Sequence, residues 1–98
     1  MKENTVVTLV LSNGAELVGK YVLEDMVNYT IYRPRLVQAN QQGVGLVNGI
    51  CMTGKEPKDN VQIAKANVMY MVETVDEIAN GWQSQTSGIA LPTKGLVK

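Results

Sequence analysis

Residues 5–11 are β-branched and aliphatic, with Val7, Leu9 and Leu11 on one face of an extended segment. They run into Ser12-Asn13-Gly14, where the Asn-Gly pair favours a tight turn. Beyond that turn Leu17, Gly19, Tyr21 and Leu23 alternate with Glu16, Val18, Lys20 and Val22, the period of a strand with one core face and one wetter face. Gly19 in its middle predicts a bend or a close approach. A third strand is expected from Val27 to Gln38, carrying Tyr29, Ile31 and Arg33 on one face and Thr30 and Tyr32 on the other. Pro34 removes one ladder donor there, which predicts a sheet edge or a bulge.

Residues 40–43 read as a turn before an apolar stretch over 44–53, and residues 54–60 read as a polar loop. Residues 61–73 are strand-like but long for one straight strand, and a bend is expected at Lys65-Ala66-Asn67. The period then changes from two to 3.6. Val75, Ile78, Ala79 and Trp82 fall on one helical stripe, with Thr74 and Glu77 in capping-box spacing, which predicts a helix over about residues 75–86. Trp82 is expected to pack on the sheet. Residues 89–98, with Pro92 and Gly95, read as a flexible tail, leaving one domain over residues 1–88.

These elements predict a mainly β fold, a five-stranded, strongly bent antiparallel sheet in an open barrel with a short C-terminal helix. A monomeric barrel such as an OB-fold stays open, because binary patterning does not fix topology. So small a barrel leaves an edge unpaired. Identical subunits that pair head to tail along such edges close into a ring when the rotation permits.

Composition narrows the chemistry. Among 98 residues, nine Lys plus Arg balance nine Asp plus Glu, so bulk electrostatic coating of nucleic acid is not expected and any such contact must be local. Arg33, Arg35, Lys55, Lys58 and Lys65 gather in the middle and Glu73, Asp76 and Glu77 near the end; they read as solvated faces and a helix start, with a binding patch as the alternative. The chain has no histidine, which removes the usual neutral-pH acid-base group and the commonest metal ligand. Its one cysteine, Cys51, lies in an apolar run and reads as a buried, inert thiol. The adjacent carboxylates Glu24 and Asp25 point to opposite faces if the strand continues through them, a poor catalytic dyad. Gly43-Val44-Gly45 lacks the further glycine and helix of a phosphate loop and reads as a turn. The protein is therefore not expected to be an enzyme, to need a cofactor or to hold a metal. No stretch approaches the roughly 20 apolar residues of a membrane span, and a cytoplasmic location without membrane contact is expected.

Two stretches carry a family resemblance. VTLVLSNGAELVGKYVLEDMVN, residues 7–28, resembles the first signature of the Sm and Lsm proteins: alternating apolar residues, Asn13-Gly14, a second glycine at Gly19 and an acidic Asp25. IAKANVMYM, residues 63–71, resembles the second signature, a polar turn leading into a final apolar strand. The proportions are similar to those of compact Sm-like proteins of bacteriophage or cyanophage type. The resemblance implies a homo-oligomeric ring of about five to seven subunits and a uridine pocket that binds single-stranded RNA.

Within that pocket Asp25 matches the family pattern, whereas Val27 stands where a stacking side chain is usual, and Ala64-Lys65 replaces the Arg-Gly of the second motif. Tyr29 takes the place of the base-reading Asn. A substitute pocket uses Tyr29 to stack a base, Asn28 or Asn67 to read its edge and Lys65 to meet a phosphate. The competing reading puts Tyr29 in the core, Asn67 in a turn and Lys65 in solvent. Two functions follow: a ring that binds U-rich RNA weakly, as an RNA chaperone would, or an assembly module that keeps the ring and has lost RNA.

Overall fold

A computed structural model of the chain describes residues 1–47, 49–51 and 53–86; the tail expected over residues 89–98 lies outside them. Among these described residues six strands and one helix follow in order: β1 (Val6–Leu11), β2 (Glu16–Glu24), β3 (Asn28–Asn40), β4 (Gly43–Leu46), β5 (Asn60–Ala64), β6 (Val68–Glu73) and α1 (Asp76–Thr86). A single 3-10 turn, Lys65–Asn67, joins β5 to β6. All strand pairings are antiparallel. The sheet runs β4-β3-β2-β1-β6, while β5 pairs with β3 off this path. Thus β5 lies against β3 and β6 against β1, and the chain carries the sheet round through the three-residue turn rather than through a ladder. The fold is a mainly β, bent antiparallel sheet with a C-terminal helix.

The β1–β2 turn forms as its Asn-Gly pair requires. Gly14 takes φ +89°, its N–H donates to the Leu11 carbonyl at 2.9 Å, and the Asn13 side chain accepts from the Ala15 amide.

The bend lies where β2 and β3 meet. Val18 pairs with Arg35 and Lys20 with Tyr32, so Arg33 and Pro34 together oppose Gly19 across a bulge. A Cβ on Gly19 would run into the Ile31 side chain and come within 3.0 Å of the Pro34 Cα and the Tyr32 carbonyl. Pro34 is therefore not on a sheet edge: β3 pairs with β2 on one side, and on the other with β5 before the bulge and β4 after it. The missing proline N–H falls where that second side changes partner.

Bending puts apolar residues of both faces of the sheet to use. Val7, Leu9, Tyr21 and Ile31 form the inner core, flanked by Tyr29, Ile63, Val68 and Met71. On the outer face Val6 and Val18 pack with Trp82, flanked by Tyr32, Val37, Ile78 and Ala79. Trp82, 1% exposed, donates its indole N–H to the Arg33 carbonyl at 2.9 Å and meets Tyr32 edge to face. The wetter face expected for β2 is thus dry at Val18, because α1 covers it.

Several expectations are corrected. The strand expected from 44 stops at Leu46, and Cys51 in the following loop is exposed rather than buried, no described residue of that loop belonging to either core. Leu23 is exposed because the β2–β3 register shifts between Tyr21 and Leu23. The helix starts at Asp76, leaving Val75 exposed and off the buried stripe; the Thr74 hydroxyl meets the Thr8 hydroxyl at 2.8 Å. Arg35 is buried and Arg33 is partly buried, so neither stands on a solvated face. Both pair with Glu56, at 2.8 and 2.6 Å, and Arg35 also donates to Gln85 in α1.

Gly19 and Gly81 should respond oppositely to alanine. Gly19→Ala should lose about 1–3 kcal/mol through overpacking at the bend. Gly81 lies inside α1 with open space where a Cβ would sit, so Gly81→Ala should gain up to about 1 kcal/mol from helix propensity. Urea unfolding of the two variants checks this; equal shifts would contradict the close approach at Gly19.

Candidate functional site

The β2–β3 turn and the 3-10 turn meet at one end of the sheet. β2 ends at Glu24, and the chain reverses through Asp25, whose Oδ1 accepts the amides of Val27 and Asn28 at 2.8 and 2.7 Å. This Asx-type turn explains why Asp suits the position. The Lys65 amide then donates to the Val27 carbonyl at 2.8 Å, and Asn28 pairs in register with Ala64. Backbone bonds alone therefore lock the two turns together.

The side chains of this junction form a compact polar group. Lys65 Nζ lies 2.6 Å from Glu24 Oε2 and 5.1 Å from the centre of the Tyr29 ring. Glu24 Oε1 accepts the Tyr21 hydroxyl at 2.8 Å. Tyr29 is half-buried and packs against the inner core with part of its ring. Leu23, Met26 and Val27 surround the turn with exposed apolar surface.

Of the five residues singled out from the sequence, Asp25, Asn28, Tyr29 and Lys65 belong to this junction. Asn67 ends the 3-10 turn against the β1–β2 turn, where its carbonyl accepts the Ser12 amide at 2.9 Å and the Ser12 hydroxyl at 3.1 Å. It lines a cleft of about 280 Å³ with Leu11, Ser12 and Asn13. The residue that sequence reasoning missed is Glu24. Its identity as the partner of Lys65 depends on a contact across 41 positions, which strand alternation does not reveal.

Electrostatics follow from these bonds. The hydrogen bond from Lys65, then that from Tyr21, holds the Glu24 carboxyl below the usual carboxylate range. The backbone amides of Asn28 and Val27 do the same for Asp25. The bond to Glu24 raises the Lys65 ammonium. Burial, reinforced by Glu24, pushes the Tyr21 phenol up to about 12. At neutral pH Glu24, Asp25 and Lys65 leave the junction with one excess negative charge. Elsewhere, burial raises Glu56, but the bonds from Arg33 and Arg35 outweigh it and hold the carboxyl low.

No group of three or more His, Cys, Asp or Glu among the described residues could hold a metal ion. No helix among them is long and apolar enough to cross a membrane. No protein-family model matches the chain, and no curated protein matches it.

Stability should fall at both ends of the pH range. Glu24, Asp25 and Glu56 have lowered folded values, so their contribution is complete above the ordinary carboxylate value of about 4 and is lost as pH drops through the folded values. Tyr21 and Lys65 have raised values, so their contribution is complete below about 10 and is lost as pH rises from there through about 12, the Tyr21 value. Thermal melts across pH check both limbs, and E24Q should flatten each.

Proposed function

We propose that the chain is the subunit of a homo-oligomeric, Sm-like ring that holds single-stranded RNA weakly at the Tyr29–Lys65 junction, in a binding role rather than a catalytic one. The observation that carries this reading is the edge presented by β6. Among the described residues β6 pairs with β1 alone, and its Met69 and Tyr70 are 70% and 59% exposed. Natural sheets normally blunt such an edge with charge, proline or cover. β5 likewise pairs with β3 alone among the described residues. The outer edges of β6 and β5 are different surfaces, so pairing β6 of one copy with β5 of the next would be heterologous and would close into a ring where the rotation permits.

The junction supports the RNA part of the reading. It brings a half-exposed aromatic ring and an ammonium to one place, the combination that single-stranded nucleic acid uses for stacking and phosphate contact, with Asn28 next in the strand. A ring would repeat this weak contact around its axis, and avidity would multiply it. The polar network at Lys65 also favours a second reading, an assembly module without RNA, because its ammonium is already spent on Glu24.

Native mass spectrometry with and without a short oligouridylate tests both parts. The expected result is a closed homo-oligomer that gains one RNA. A closed oligomer that ignores RNA selects the second reading, and a monomer overturns the ring. Tyr70→Lys should shift the oligomer toward monomer without changing the circular dichroism spectrum.

A further inference from the structure

Glu24 occupies the place that a ligand's phosphate would need. Lys65 is the ammonium of the junction, and in the free chain its closest anion is the Glu24 carboxylate at 2.6 Å. The same ammonium stands over the Tyr29 ring, 5.1 Å from its centre, and so covers the surface on which a base would stack. Tyr21 holds the other carboxylate oxygen at 2.8 Å from its hydroxyl, which keeps Glu24 pointing at Lys65. One contact therefore withholds both binding elements: the cation is neutralised, and the ring is covered.

We infer that Glu24 is an internal rival of the RNA phosphate and sets the affinity of the junction, Tyr21 being the residue that positions it. This rests on the RNA reading above. For a strand to bind, Lys65 must exchange the carboxylate for a phosphate oxygen, and that movement uncovers Tyr29 for the base. The phosphate contact itself then contributes only the difference between the two anionic partners of Lys65. The carboxylate, still held by Tyr21, goes on repelling the phosphate. Weak binding at each subunit follows from this exchange.

Glu24→Gln keeps an oxygen for the Tyr21 hydroxyl and removes the charge. Binding of a labelled oligouridylate by fluorescence anisotropy, at fixed ionic strength, should tighten by about two- to fivefold for each subunit the strand touches, the range expected when an exposed ion pair no longer competes. Adding E24Q to Lys65→Ala should give no such gain, because the rivalry needs both partners. Glu16→Gln, which changes the net charge equally but lies in a cleft with Val18 and Ile78 on the outer face, should leave affinity unchanged. If the wild type binds, K65A loses binding and E24Q does not tighten it, the rivalry is overturned while the pocket stands. An equal gain in E16Q would assign the effect to bulk charge and also overturn it. If neither the wild type nor E24Q binds, the RNA reading falls and the rivalry with it.

Discussion

The bend of β3 at Arg33–Pro34 is the constraint on which the rest of the structure depends. Arg33 adopts φ +48°, a left-handed conformation that is rare for a residue with a side chain and costs about 1–3 kcal/mol. Most of the residue's polar groups are engaged around that strain. Its amide donates to the Asp59 carbonyl, its carbonyl accepts the Trp82 indole, and its guanidinium reaches Glu56 and the Thr86 carbonyl. Helix α1 is thereby tied to the bend at two points, and the 47–59 loop at two more, through Glu56 and Asp59. Only the Arg33 Nε is left buried without a partner among the described residues. Gly19 completes the arrangement by letting β2 approach where β3 turns.

From the bend follow both cores and the junction. A flat sheet of this length would bury one face; the bent one encloses Val7, Leu9 and Ile31 inside and leaves Val6 and Val18 to be covered by Trp82 outside. Residues 28–32 of β3, before the bulge, carry β5, and the polypeptide crosses from there to β1 in three residues. That crossing brings Lys65 to the β2–β3 turn. The electrostatic character of the junction is set by which carboxylates line the turn, and two carboxylates against one ammonium make it a guarded site rather than an open basic patch.

Much of this was legible in the sequence where one local preference dominated. The Asn13-Gly14 turn, the bend at Lys65-Ala66-Asn67 and the helix carrying Trp82 each rest on a short-range rule, and each forms close to its expected position. Pro34 signalled an interruption, but the edge and the bulge satisfy its missing N–H equally well, and only the pairing on both sides of β3 separates them. Cys51 misled because an apolar neighbourhood in sequence is not burial: no described residue of its loop belongs to either core. Arg33 and Arg35 misled for the converse reason, since their withdrawal from solvent depends on Glu56, more than 20 positions away. At the junction, Asp25, Asn28, Tyr29 and Lys65 could be named from the chain, while the Glu24–Lys65 contact could not, being a product of the closure itself.

Native-state hydrogen exchange of two protons tests that closure most directly: the Lys65 amide, bonded to the Val27 carbonyl, and the Trp82 indole N–H, bonded to the Arg33 carbonyl. If the bend organises the fold, both should exchange as slowly as the amides of the β1–β2 ladder, through global unfolding. Exchange of either at the rate of an unprotected group, while that ladder stays protected, would contradict the account.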